Sequence, residues 1–210
     1  MKLLILGASG LTGREIVKQA SEENHSVTAF VRKPDEFDIK HDNLTIAAGD
    51  VTDYAAIERA VEGQDVALSA LGAPTMLKRV PALTEGVRNV VRAMEKAGVR
   101  RFIYASALGV GDSIDDTNFL SRYFLVPILL GRVYADHEDK EQIIKASSLD
   151  WVIVRPARLV NKPRTGKYKA GVHITQPFPQ GEIARADVAD FMLKQVTDDR
   201  FLRLTPNIFY

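Results

Sequence analysis

Three glycines near the start of the chain offer backbone chemistry rather than side-chain chemistry. Gly7, Gly10 and Gly13 fall in Gly7-Ala8-Ser9-Gly10-Leu11-Thr12-Gly13, directly after the apolar run Leu3-Leu4-Ile5-Leu6 and at the opening of a helical pattern. In that place Gly7 lets the chain turn sharply, Gly10 lets backbone N–H groups approach an anion, and Gly13 lets the helix pack close to the strand. The helix N-terminus adds unsatisfied N–H groups and the positive end of its dipole. Ser9 and Thr12, either side of Gly10-Leu11, can add hydroxyl donors. The ligand that suits such a loop is the pyrophosphate of a dinucleotide.

Two further positions refine this reading. Folds that prefer NAD carry an acid at the end of the second strand, to bind the ribose 2′-hydroxyl. Here that place reads Val31-Arg32-Lys33, and the first acid, Asp35, lies beyond Pro34. A guanidinium suits a 2′-phosphate and gains little from a plain hydroxyl, so NADP(H) is expected over NAD(H). Asp50 and Val51 suit an adenine pocket, the carboxylate accepting from the exocyclic amine and the apolar side chain covering the ring. Asp50 is equally readable as a helix-entry residue, with Thr52 or Asp53 as the cap. Leu71-Gly72-Ala73 ends a fourth strand, where the floor of the crevice is expected and where Gly72 admits a ribose.

These residues need a scaffold that brings strand ends to one edge. Apolar runs at 2–6, 26–31, 44–48, 65–71, 101–105 and 151–154 read as strands. Between them, 12–20, 54–62, 81–97, 139–147 and 185–196 read as helices, the third stopped by Gly98 and the last capped near Asp187. Phe201 to Leu204 reads as an edge strand. Strand and helix alternating with short connections specify a single α/β domain over 1–210, a doubly wound parallel sheet with helices on both faces. Residues 157–183, rich in Pro, Gly, Lys and Arg, read as an irregular insertion on the substrate side.

Composition narrows the function. With 28 Lys plus Arg against 27 Asp plus Glu, net charge +1, there is no electrostatic reason to expect nucleic acid or an anionic membrane as partner. The chain has no cysteine, which excludes disulfides and a cysteine nucleophile. Its four histidines show no metal-binding spacing, so no metal is expected. No apolar stretch is long enough to span a bilayer, and a cytoplasmic monomer or weak homodimer is expected.

The segments LILGASGLTG, GDVTD, LSALGAP, FIYASALG and WVIVRPARL together resemble the short-chain dehydrogenase/reductase superfamily. The chain is most similar to its atypical, NmrA-like NAD(P)-binding branch, and within that to the flavin reductases, also called biliverdin-IXβ reductases. The likeness implies a Rossmann-type fold and an NADPH-dependent reductase of a flavin or linear tetrapyrrole. It implies Ser106 as the active-site serine and Pro156, in an Arg-Pro pair, against the nicotinamide. Arg158 and Leu159 continue that cofactor-lining segment. Arg155 reads as a paired structural cation.

Two departures bear on mechanism. The superfamily's Tyr-x-x-x-Lys pair is missing: Lys140 is present, but the residue four before it is Asp136, and Tyr54, Tyr104, Tyr123, Tyr134 and Tyr168 all lack a Lys four residues on. Arg158 stands where the flavin reductases carry histidine. Hydride transfer to a planar acceptor tolerates the missing tyrosine, because charge is delocalised and solvent can supply the proton. His137 is a proton source, an aromatic wall, or a polar residue on the exposed face of its helix. Two other readings remain: a non-enzymatic NADP(H) sensor of the NmrA type, and a dinucleotide-dependent epimerase. Phe119 to Leu130 reads as core helix, lid or oligomer surface.

Overall fold

The computed structural model of the chain describes residues 1–72, 80–117, 131–177 and 181–210. Ala73 and the segment Phe119 to Leu130 lie outside these. The six expected strands form as β1 (Lys2–Leu6), β2 (Ser26–Val31), β3 (Leu44–Ala48), β4 (Val66–Ser69), β5 (Arg101–Ala105) and β6 (Asp150–Pro156). The helices are α1 (Leu11–Glu22), α2 (Tyr54–Val61), α3 (Pro81–Ala97), α4 (Gly131–Lys145) and α5 (Arg185–Lys194). Short strands β7 (Arg158–Val160), β8 (Lys169–Gly171), β9 (Glu182–Ala184) and β10 (Asn207–Phe209) complete the described elements.

The main sheet runs β3-β2-β1-β4-β5-β6-β10-β8, parallel except where β8 meets β10. Strand β1 shows why its sequence is apolar at every position from Leu3 to Leu6. Leu3 and Ile5 point into one core with Ile16, Val17, Val188 and Met192 of α1 and α5. Leu4 and Leu6 point into the opposite core with Ile57, Val61, Val87, Val90 and Met94 of α2 and α3. A strand buried on both faces has no solvent side to mark with polar residues. The strand order reverses between β1 and β4, and ligands of such sheets bind in the crevice outside the carboxyl ends of the strands at that point. This is a Rossmann-type fold.

Four local expectations change. Phe201 to Leu204 is a turn rather than a strand. Arg203 at φ +55° and Pro206 interrupt regular pairing, although Ile153 N still donates to Leu204 O. The edge pairing passes to β10 instead. Residues 157–183 are less irregular than their composition suggests: β7 pairs in parallel with β9, and β8 extends the main sheet. Helix α4 begins at Gly131, a full two turns before the expected start. Helix α5 has Ala184 as its N-cap with no side-chain cap. Asp187 instead accepts from Thr165 N, Gly166 N and the Tyr210 hydroxyl, which ties the insertion and the C-terminus to α5.

Candidate functional site

Every described residue singled out above as a cofactor or catalytic candidate lies at or just beyond the carboxyl end of a parallel strand, or on α4. Gly7 follows β1, Arg32 follows β2, Asp50 and Val51 follow β3, Leu71 and Gly72 follow β4, Ser106 follows β5, and Pro156 ends β6. The sheet thus collects them along one rim.

The glycine loop sits at the reversal point. Gly7 has φ +75°, and a Cβ there would lie 2.8 Å from the carbonyl of Ala70, so this loop and the one after β4 touch. At Gly13 a Cβ would be only 2.1 Å from Gly7 O, which allows α1 to start against the turn. At Gly10 the nearest such atom is Gly7 O at 3.3 Å, with open space beyond. Gly10 is the N-cap of α1, and the first intrahelical bond runs from Arg14 N to Gly10 O at 2.8 Å. The amides of Leu11, Thr12 and Gly13 precede that bond and await an acceptor. Ser9 and Leu11 are exposed and Thr12 half-buried at this opening.

At the β2 end, Arg32 is exposed, and among the described residues its guanidinium makes no hydrogen bond or ion pair. Its charge, after hydrogen bonds from Thr52, helps to hold the Asp50 carboxyl below its usual range. Asp50 Oδ1 accepts from Thr52 N at 2.9 Å and Thr52 Oγ1 at 2.7 Å. Asp53, not Asp50, caps α2, accepting from Ala55 N and Ala56 N. The Asp50–Asp53 loop is pinned from behind by α3. Asn89 Nδ2 donates to Val51 O at 3.0 Å and to Thr52 O at 3.2 Å, and a Cβ on Gly86 would strike the Val51 side chain at 2.5 Å.

The β5 and β6 ends rest on a buried charge network. Ser106 Oγ donates to Glu141 Oε1 at 2.7 Å. The same carboxylate accepts from Arg155 Nε at 3.1 Å, Arg155 Nη2 at 2.6 Å and Lys145 Nζ at 3.0 Å. Glu141 and Arg155 are each 1% exposed. Burial pushes the Glu141 carboxyl up, but the Arg155 hydrogen bonds and charge outweigh it and hold it below its ordinary value. Arg155 also reaches Asp112 at 2.8 Å, which makes it the paired structural cation expected of it.

Helix α4 also carries His137 and Tyr134, both half-buried. Tyr134 donates to Leu108 O at 3.0 Å, and burial pushes its hydroxyl up to about 12. His137 Nδ1 is buried with no hydrogen-bond partner. Burial, with the nearby Lys140 charge, pushes the imidazole down to about 4. His137 is half-buried, with its Nδ1 edge enclosed, rather than fully exposed. Lys140 is closed off as well, paired with Asp136 at 2.8 Å in a buried contact that Thr84 joins from α3. On the β6 side, Pro156 is buried and Leu159 packs against the core, while the Arg158 guanidinium pairs with Glu182.

A groove of about 560 Å³ lies elsewhere, between the outer face of α1, residues 161–164 and the start of α5. Of the rim residues only Leu11 lines it. Most of its cations are taken: Arg14 by Asp38, Lys162 by Glu182, Arg164 by Asp190.

Residues 7–199 match the family model described as NAD(P)H-binding. The chain belongs to that family. A relative from Bacillus subtilis, the uncharacterized sugar epimerase YhfK, is 28% identical over 98% of this chain and 94% of its own length. Among solved structures, the anaerobilin reductase ChuY from Escherichia coli O157:H7 superposes with a TM-score of 0.77 at 22% identity, covering 100% of this chain and 97% of that one. A short-chain dehydrogenase/reductase from Veillonella parvula, solved in complex with NADP, gives 0.78 at 19% identity, covering 100% and 94%. These two likenesses carry the fold. Among the described residues no helix is long and apolar enough to cross a membrane, and no metal-binding cluster is present.

Sequence reasoning missed Glu141 and Asn89. Both left a signal. Residues 137, 140, 141 and 144 share one face of α4, and only Ile144 is apolar there. Asn89 interrupts the stripe of Gly86, Val90, Ala93 and Met94 on α3. A polar residue in a core-facing position needs a buried partner.

Proposed function

We propose that the protein is an NADPH-dependent reductase that delivers hydride to a flavin or a related planar acceptor such as a linear tetrapyrrole. One observation carries this reading: among the described residues, the β5–β6 end of the rim holds no side chain ready to give a proton at neutral pH. Ser106 commits its hydroxyl proton to Glu141, Lys140 is closed off by Asp136, and His137 is neutral. Reduction of a carbonyl to an alcohol needs such a donor. Reduction of a delocalised acceptor does not, and the protein's work is then to hold the two partners face to face.

The residues of the rim fit a dinucleotide. The free amides of Leu11, Thr12 and Gly13, with Ser9 and Thr12 hydroxyls, suit the pyrophosphate. Arg32 is placed for a 2′-phosphate, which favours NADP(H). Asp50 keeps Oδ2 for an adenine amine, and Val51 can cover the ring. Leu71, Gly72 and Pro156 would line the path to the nicotinamide. Bound NADPH supplies the hydride. Ser106 and His137 then border the acceptor, positioning it rather than protonating it.

The test is loss of NADPH absorbance with FMN and with biliverdin as alternative acceptors, using NADPH deuterated at one C4 face. Turnover with a slowed rate for the label-bearing face supports the reading. Tight NADP⁺ binding with no turnover on either acceptor would sink it and favour a sensor. Interconversion of a sugar nucleotide would move it to the epimerase reading that the name of the B. subtilis relative suggests.

A further inference from the structure

The superfamily reading treats an active-site serine as a hydroxyl that can point either way. In this chain it cannot. A serine hydroxyl has one proton and two lone pairs, and the direction of the proton depends on its strongest neighbour. Ser106 Oγ lies 2.7 Å from Glu141 Oε1, in a contact closed to solvent. Glu141 is a carboxylate and not a carboxylic acid, because three N–H donors from Arg155 and Lys145 reach it within 3.1 Å. A carboxylate accepts only. The Ser106 proton must therefore point at Glu141, away from the cleft. The serine itself is fixed from its backbone, since Ser106 N donates to Val154 O at 2.8 Å. The strand bond cannot be given up without leaving a buried amide unpaired.

We infer that Glu141 is a positioning residue that makes Ser106 a hydrogen-bond acceptor only, so that Ser106 receives an N–H of the nicotinamide carboxamide. This rests on the dinucleotide reading above and adds a direction to it. The end of β5 beside β6 is where the nicotinamide half would lie. Around Ser106, Arg155 is committed to Glu141 and Asp112 and Tyr134 to the Leu108 carbonyl, while the Tyr104 hydroxyl and His137 Nδ1 are buried without a hydrogen-bond partner. A carboxamide offers both an N–H₂ and a C=O. A lone pair aimed at it selects the amide edge and fixes the rotation of the group. The same geometry repels any ligand oxygen that becomes negative, since the serine turns lone pairs toward it with a carboxylate behind. Glu141 thus selects against carbonyl-to-alcohol chemistry as well as orienting the cofactor.

The experiment compares NADP⁺ with its 3-acetylpyridine analogue, which replaces the amide N–H₂ by methyl and keeps the carbonyl. Dissociation constants come from calorimetry, so no acceptor and no turnover are needed. The wild-type protein is expected to bind NADP⁺ about tenfold more tightly than the analogue, the effect of one hydrogen bond to a polarised acceptor. In Ser106→Ala that preference falls to near unity. In Glu141→Gln it also falls to near unity, because the new amide donates to Ser106 and frees the hydroxyl to meet a carbonyl. If Glu141→Gln does not fold, Glu141→Asp serves: its shorter carboxylate stays with Arg155 but withdraws from Ser106, and the preference is again expected to fall. A preference that is absent in the wild type, or that survives in Ser106→Ala or in the folded Glu141 variant, overturns the inference and leaves the dinucleotide reading standing. Failure of the wild type to bind either compound overturns both.

Discussion

The two ends of the rim are built by different means. The dinucleotide end is made of backbone: three glycines, three free amides at the start of α1, and a loop after β3 held by Asn89 through its carbonyls. The reactive end is made of buried side-chain charge drawn from β5, β6, α4 and the turn at Asp112. Within the first, the glycine loop uses residues within a few positions of one another, and only the Asn89 brace comes from far along the chain. The second joins residues 14 to 43 apart in sequence, from four separate elements. A phosphate loop needs geometry close to the chain and no titrating group. A reaction centre that must keep protons in place needs counter-charges that only tertiary packing brings together.

The largest effects are expected at the glycines, and they separate folding from binding within one loop. Gly13→Val forces a Cβ to within 2.1 Å of Gly7 O, where backbone cannot yield cheaply. It is expected to lower stability by about 3 kcal/mol and, at this size, to lower the melting temperature by roughly 6–12 °C. Gly10→Val meets only Gly7 O at 3.3 Å, from an extended backbone that valine accepts. Its fold is expected to survive while NADP⁺ affinity drops roughly 100-fold, as the side chain fills the approach to the helix amides. Equal melting temperatures for the two variants would show that the loop does not discriminate packing from ligand approach.

At the other end, Arg155→Leu leaves Glu141 buried with Lys145 as its remaining cation. Removing one partner of such a pair costs about 3–5 kcal/mol. Replacing both, as Arg155→Leu with Glu141→Leu, is expected to recover most of that loss, because the isolated charge is what destabilises. Denaturant unfolding of the three proteins checks it. A double variant no more stable than the single one would mean that packing, and not charge, holds this end.

Legibility followed the same division. Strand β1, the glycine loop and the alternation of strand and helix could be read because each is encoded locally, by a continuous apolar run and a short spacing. The reversal at β1 and β4, and with it the placing of Leu71-Gly72, follows from strand and helix alternation. What could not be read was pairing across the fold. Arg155 gave notice that an acid must exist, but not that it would be Glu141 rather than any neighbour on α4. Arg203 and Pro206 show a second limit. The apolar run at 201–204 looked like an edge strand, but a left-handed residue and a proline shifted the pairing to Asn207–Phe209. Asp187, near which the cap was expected, instead clamps a loop about twenty residues away through the Thr165 and Gly166 amides.

Arg32 tests whether the backbone-built end still takes its cofactor choice from a side chain. Arg32→Glu removes a charge-assisted partner for the 2′-phosphate and adds repulsion. NADPH affinity is expected to fall by roughly 30- to 100-fold, with NADH changed by less than about threefold. The ratio of the two dissociation constants is the measurement. An equal change in both would place the 2′-phosphate elsewhere.

The smallest kinetic effect is expected at His137, and it is the sharpest test of the contrast. Its imidazole is pushed down to about 4 by burial and the Lys140 charge, so the folded protein keeps it neutral where the unfolded chain, near 6.5, takes up a proton. The stability that this group contributes is therefore complete above about pH 6.5 and is lost as the pH falls toward 4, by about 3 kcal/mol in all. The carboxyls of Glu141 and Asp112 are also held low, so their contributions are lost further down, below the range of an unfolded carboxylate. His137→Gln is expected to flatten the fall in melting temperature between pH 6.5 and 4.5 and to leave the steeper fall below it. At neutral pH a group so depressed holds too little proton to act as a general acid, a role whose loss would cost 10²- to 10⁴-fold. The rate of hydride transfer to FMN in His137→Gln is thus expected to drop by less than about tenfold, with no change in the shape of its pH profile. A larger loss, with an ionisation near neutrality that vanishes in the variant, would mean that ligand binding raises the imidazole back into range. The reactive end would then protonate its substrate, and a carbonyl or tetrapyrrole that needs that proton would replace the flavin as acceptor.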